Sequence, residues 1–171
     1  MTSRNNDNNL LYCRDRARKV IRDYSLSTLP ISVEDISIKD GLVIKYLEDE
    51  SNSFSGILHR ELKAIGVNAS HPKVRQRFSI AHELGHYFLN HPQEAETLSM
   101  EDSHDEWRQY EREANEFAGE LLVPKDMLKR ELDSLKRIPT DQKVDLLANT
   151  FDVSRDVLVI QLTKHGLLMR I

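Results

Sequence analysis

Val74-Arg-Gln-Arg-Phe-Ser-Ile-Ala-His-Glu-Leu-Gly-His-Tyr-Phe-Leu-Asn90 is the stretch on which the fold turns. Its apolar residues do not keep to one stripe. Phe78, Ala81 and Leu89 fall on one side of a helical projection; Ile80, Leu84, Tyr87 and Phe88 fall on others. A helix that is apolar all round is a buried helix, and the pattern predicts one over 74–90, ended by His91-Pro92. That helix also carries His82, Glu83 and His86. Three ionisable groups on a buried element are costly without partners. Residues four apart on a helix are separated by about 40° around the axis, so both imidazoles face one point. That is what a zinc ion needs from two ligands on one element. Glu83, beside the first histidine, is placed to take a proton from an attacking water and hand it to a leaving amine. A five-residue motif also arises by chance; the burial of its ionisable groups argues for use.

A catalytic zinc takes three protein ligands, so a third is expected elsewhere. The pattern HExxHxxGxxH fails here, because Leu89 stands for its glycine and Pro92 for its third histidine. His91 is one position off and turned away from His86. Cys13, the one cysteine, has no ligand motif around it. A second helix, expected over Glu106–Val123, offers a better candidate. Trp107, Tyr110, Ala114, Ala118, Leu121 and Leu122 trace its inward face, and Glu111 and Asn115 lie within that face. Glu113, Glu116 and Glu120 fall on the opposite face with Gln109 and read as solvated. Glu111 is therefore the ligand candidate. Asn115, one turn on, is placed to hydrogen-bond a ligand; the alternative is a polar residue bonding its own helix backbone. Ala114 and Ala118 are small enough to let the two helices approach closely.

Outward from this pair, Leu10–Ser27 reads as a basic helix carrying Arg14, Arg16, Arg18, Lys19 and Arg22. Residues 1–9 are polar and Asn-rich and read as a disordered lead-in. Asp40-Gly41 marks a turn. Leu42–Leu47, Gly56–His59 and Ala64–Val67 read as strands of a small, mostly antiparallel sheet. Gly56–His59 is the edge on which an extended peptide would pair. Gln93–Asp105 is polar and reads as irregular. The last third of the chain reads as further helices. Within them, Val144–Leu162 resembles a helix-turn-helix, with a turn at Phe151–Val153 and an N-cap at Ser154. The fold class expected is α+β, with residues 10–135 forming one domain and 136–171 a helical subdomain packed on it.

At Arg75-Gln-Arg-Phe-Ser-Ile-Ala-His-Glu-Leu-Gly-His86 and Glu111-Arg-Glu-Ala-Asn-Glu-Phe-Ala-Gly-Glu-Leu-Leu-Val-Pro124 the sequence resembles the ImmA/IrrE metallopeptidases of bacteria and their phages. The second block is also similar to the Glu-x-x-Ala-Asp stretch of HtpX-type membrane peptidases, with Asn115 at the Asp position. In that pattern the first glutamate is the metal ligand, which again selects Glu111. The resemblance implies a minimal zincin-like domain, a small sheet packed on the helix that bears the metal. It implies one catalytic Zn2+ ion and a protein substrate, a helix-turn-helix repressor of the Xre type encoded nearby. Cleavage of such a repressor releases phage, mobile-element or stress genes.

Composition sets outer bounds. The chain has 171 residues, 39% hydrophobic and 30% charged, with a net charge of −4. These values fit a globular domain with a core. No apolar run approaches the roughly 18 residues of a membrane span, and the N-terminus has no apolar signal region. With the single cysteine, this makes the cytoplasm the expected compartment. From Glu94 to Glu120 the acidic residues are Glu94, Glu96, Glu101, Asp102, Asp105, Glu106, Glu111, Glu113, Glu116 and Glu120, against Arg108 and Arg112. Either a solvated acidic face or attraction of a basic partner follows. From Thr140 onward Asp141, Asp145, Asp152 and Asp156 balance Lys143, Arg155, Lys164 and Arg170. A DNA reader is basic, so no direct DNA binding is expected of these helices. Two readings from other classes stand beside the peptidase. One is a zinc-stabilised regulator that sequesters a repressor or toxin without cutting it; the other is a DNA-binding protein with a vestigial metal site. Glu83 favours the peptidase, because a structural zinc closed by a fourth protein ligand needs no base. His71, His104 and Tyr87 are candidates for stabilising an oxyanion.

Overall fold

The structure is a computed structural model that describes residues 2–51, 53–92 and 103–170. The basic N-terminal segment forms α1, Thr2–Asp23. Helix α2, Val33–Lys39, starts at Ser32, whose hydroxyl accepts a bond from the Asp35 N–H at 3.1 Å. Strands β1 (Val43–Leu47), β2 (Gly56–His59) and β3 (Ala64–Asn68) follow. Then come α3 (Lys73–Phe88), α4 (Ser103–Leu122), α5 (Lys125–Ser134), α6 (Thr140–Phe151) and α7 (Arg155–Lys164). A 3-10 turn spans Leu168–Arg170. This is an α+β fold built on a three-stranded sheet.

The strand order is β1-β3-β2, with β1 parallel to β3 and β2 antiparallel to it. The sheet is thus mixed, not mostly antiparallel as the short connections suggest. The parallel pairing of β1 with β3 forces β2 and its turns to act as the crossover between them. β3 is central and buried along its whole length. Among the described residues β2 pairs on one side only, which leaves its other edge free.

Helix α3 lies against β2 and β3 on one side and α4 on another, which explains its lack of a single apolar stripe. Gln76, Ser79, Ile80, Ala81, Glu83, Leu84, Gly85 and His86 are all buried in it. Two glycines set these approaches. A Cβ on Gly56 of β2 would stand 3.0 Å from Glu83 Oε1 and 3.3 Å from Ser79 Cβ. A Cβ on Gly85 would stand 3.0 Å from both the Ala114 Cα and its carbonyl oxygen. The sheet and α4 therefore reach the α3 backbone at glycine positions.

One apolar cluster joins Ala17 and Val20 of α1, Ile65 and Val67 of β3, Ile80 and Leu84 of α3, Phe117 and Leu121 of α4, and Leu147, Leu158 and Leu162 of the last helices. The end of α6 turns at Asp152, which is left-handed at φ 51°, and Ser154 caps α7 by accepting from the Val157 N–H. The helix-turn-helix outline expected there is present.

Two further expectations are corrected. The helix of the N-terminal segment begins at Thr2, not at Leu10, so residues 2–9 of the segment read as a disordered lead-in are helical. Extending an existing helix adds a hydrogen bond for each residue ordered, which carries even poor helix formers. Glu116 and Glu120 are not solvated: they are 3% and 1% exposed. Helix α4 is covered on its acidic side by α1 and α7. Arg14 and Lys164 both pair with Glu116, and Arg18 Nε meets Glu120 Oε1 at 2.8 Å. His165 Nε2 lies 3.4 Å from the other Glu120 oxygen. The basic stripe of α1 and the acidic stripe of α4 are complementary, so cations replace the water that the acidic face would otherwise need. Residues 93–102, with Glu94, Glu96, Glu101 and Asp102 of the acidic run, lie outside the described residues.

Candidate metal centre

The helical spacing of His82 and His86 does place both rings toward α4, with their Nε2 atoms 3.0 Å apart. Glu111 comes across from α4. One of its oxygens lies 3.3 Å from His82 Nε2 and the other 3.1 Å from His86 Nε2. His82, His86 and Glu111 form a group able to hold a metal ion, each offering one ligand atom, all within 4.8 Å of one another. Bonds of about 2.0–2.1 Å to a tetrahedral ion separate neighbouring ligand atoms by roughly 3.3 Å. The two imidazole nitrogens are close to that spacing, and each Glu111 oxygen is close to it from one of them. Glu111 reaches this point because Gly85 and Ala114 let the two backbones meet three residues from it.

Each ring is fixed from behind. His82 Nδ1 lies 3.1 Å from Asn115 Oδ1, so it donates to that oxygen and leaves Nε2 free as a ligand. Asn115 stands behind His82, on the side away from Glu111. His86 Nδ1 lies 3.1 Å from Nδ1 of His91, whose Nε2 lies 3.0 Å from Glu113. Gln109 donates to the second Glu113 oxygen at 2.8 Å. Trp107 stacks on His86 with ring centroids 5.6 Å apart and planes 11° from parallel.

His91 is absent from the metal-holding group, but it is not turned away from His86. Helix α3 ends with Asn90 in the left-handed region at φ 57°. The His91 N–H then bonds the His86 carbonyl at 3.1 Å, and the Asn90 N–H bonds the Tyr87 carbonyl at 3.2 Å. This is a Schellman closure, and it folds His91 back beneath His86. Arg60 clamps it, one guanidinium nitrogen donating to the carbonyls of His86 and His91 at 2.6 and 2.8 Å. The signal was present in the sequence as an asparagine two residues before a proline, but it was read only as a helix stop. Arg60, Gly56 and the partnership of Glu113 had no signal of their own.

Electrostatics divide the acids. Burial tends to raise the Glu111 pKa, but bonds from His82 and His86 outweigh it and hold the carboxyl well below the usual range. Burial likewise tends to lower His82, yet Glu111, Glu83 and Asn115 together raise it. Glu83 goes the other way: burial pushes it up, offset in part by the two histidines. A carboxylate with a raised pKa is the better proton carrier near neutral pH. His91 is pulled down to about 4 by burial and by its neighbour His86.

A cavity of about 600 Å³ opens over the three residues, lined by Gly56, Ile57, Leu58, Phe78, Glu83 and Trp107 among others. It brings the free edge of β2 beside His82, His86 and Glu111. Neither His71 nor Tyr87 lines it, and the side chain of His104 lies outside the described ones. Among the described residues no helix is long and apolar enough to cross a membrane.

No match is found among curated proteins. Among solved structures, one described as a Mycobacterium tuberculosis transcriptional regulator is similar over 92% of this chain, with a TM-score of 0.68 and 17% identity. At that identity the likeness is one of fold, and this chain spans 48% of that chain's length. The model of the IrrE N-terminal-like domain, Peptidase_M78, matches residues 40–163, from the turn before β1 through α7. The match takes in the sheet, the paired helices and the metal-holding group together, and the chain belongs to the Peptidase_M78, IrrE N-terminal-like, family.

Proposed function

We propose that this protein is a zinc-dependent endopeptidase whose substrate is a helix-turn-helix repressor protein. The observation that carries the reading is the convergence of His82, His86 and Glu111 on one point of an open cavity that also holds the buried Glu83. Two nitrogens and one carboxylate are a donor set that suits zinc with a position left open. The ion, when bound, supplies Lewis-acid chemistry, acidifying water and polarising a peptide carbonyl.

The chain's own residues do the rest. An extended peptide segment pairs with the free edge of β2 and lies across the cavity, its side chains against Ile57, Phe78 and Trp107. Glu83 takes a proton on its carboxylate as water attacks the scissile carbonyl, then delivers it to the departing amide nitrogen. Burial keeps Glu83 dry and raises its affinity for that proton. Arg60 and the strand around Gly56 hold the two walls in place.

The test uses wild type and Glu83→Gln, each quantified for zinc, each incubated with the helix-turn-helix protein encoded beside it. Zinc in both and cleavage by wild type alone is the expected result. Zinc in both and cleavage by neither overturns the peptidase in favour of a regulator that binds its partner without cutting.

A further inference from the structure

The cavity side of His86 meets the metal-holding group; its other side meets a chain of hydrogen bonds that the reaction itself does not use. Nε2 of His86 points at Glu111 and His82 and is the nitrogen kept for the metal, so with the ion bound Nδ1 is the one that carries hydrogen. The atom 3.1 Å from it is His91 Nδ1. Two ring nitrogens at that distance bond only if one is a donor and the other an acceptor, so His91 Nδ1 accepts. The hydrogen of His91 then sits on Nε2, and the atom 3.0 Å from Nε2 is a Glu113 oxygen. Every nitrogen along the line has the partner its tautomer requires. The far end is anchored by Gln109, and the backbone between the two histidines is clamped by Arg60 and by the Schellman closure.

We propose that His91, held by Glu113, is a positioning residue for His86: the Glu113–His91–His86 chain fixes the ring with Nε2 aimed at the metal. This rests on the reading of His82, His86 and Glu111 as metal ligands. It also gives the two histidines of the site different supports. His82 is backed by the exposed amide of Asn115, whereas His86 is backed by a buried imidazole whose own far nitrogen meets a carboxylate. A carboxylate at the end of such a line makes the ligand nitrogen more basic as well as fixing its direction. Loss of the support of a ligating histidine typically weakens metal binding by about 10- to 100-fold.

The experiment measures zinc affinity by chelator competition in wild type, His91→Leu and His91→Gln, together with ring nitrogen spectra of the zinc-loaded wild type. The expected result is a loss of about 10-fold or more in His91→Leu. Most of it is recovered in His91→Gln, whose amide oxygen accepts the His86 bond, while the unfolding midpoints of the two metal-free variants agree. The spectra of wild type, which need no variant to fold, are expected to show hydrogen on Nδ1 of His86 and on Nε2 of His91. Undiminished zinc affinity in His91→Leu overturns the proposal, as does a loss that His91→Gln does not recover, or the opposite tautomer at His86. A wild type that takes up no zinc overturns the metal-centre reading and the proposal with it, whereas zinc uptake with undiminished affinity in His91→Leu overturns the proposal alone.

Discussion

Glu111 and Glu113 are two residues apart and have different work. Glu111 is 38% exposed at its side chain yet lies within reach of both candidate ligand histidines. Glu113 is 13% exposed and reaches His91 instead. Replacing Glu111 by alanine is expected to abolish stoichiometric zinc binding, measured as metal per protein after gel filtration. Glu113→Gln, which still offers His91 an acceptor, is expected to retain the metal; the reverse pattern would show that the wrong carboxylate was chosen. That Glu111 turns toward α3 was legible in the sequence because it lies on the face with Trp107, Tyr110 and Ala114. The same argument failed one step further on. A polar helical face was equated with a solvated one, and Glu116 and Glu120 proved to be buried. Periodicity shows which residues share a face; it does not show what covers that face.

At the scale of elements, the crossing of α3 and α4 builds the site. At Gly85 the crossing leaves no room for a side chain against Ala114. Gly85→Ala places a methyl group 3.0 Å from backbone atoms that have no rotamer to yield. Overpacking of this kind costs about 1–3 kcal/mol, so a lower thermal midpoint of the metal-free protein is expected. Because the helices must part to admit the methyl, weaker zinc binding should accompany it, whereas Ala114→Gly should leave the crossing intact. The long helices were readable from their apolar pattern and strong stops. Strand positions were also readable, within a residue or so. Pairing was not: nothing in short strands fixes which neighbour each takes, and here β2 and β3 pack on α3 while β1 packs on α2. The short helix α2 was overlooked although Ser32, with Asp35 three residues on, marks its start.

Across the whole molecule, α4 is the common neighbour of α3, α1 and α7. Glu116 ties the last two together by pairing with both Arg14 and Lys164. Removing one member of a fully buried ion pair costs about 3–5 kcal/mol. Arg14 and Lys164 keep 24% and 33% of their exposure, so rehydration softens the loss. Glu116→Ala is therefore expected to cost roughly 2 kcal/mol, read by urea unfolding. His165 gives this interface a pH dependence. Burial and the Arg14 guanidinium lower its pKa to about 4 in the folded state, against about 6.5 in the unfolded chain. The unfolded state thus binds the proton more tightly. The contribution to stability is complete above about pH 6.5 and is lost as the pH falls toward 4. The urea midpoint of wild type should fall more between pH 7 and pH 5 than that of His165→Gln; equal slopes would contradict the assignment. The complementary charges of α1 and α4 were visible in the sequence, but only the fold shows that they meet.

The central claim is a zinc ion held by two histidines and one carboxylate with a position open to water. Zinc X-ray absorption of the metal-loaded protein tests it most directly. The account predicts a light-atom shell at about 2.0–2.1 Å containing two imidazoles and no sulfur. Three imidazoles would show that His91 is a ligand and not a support, and a sulfur near 2.3 Å would show that Cys13 has been drawn in. Either result would contradict the site as described.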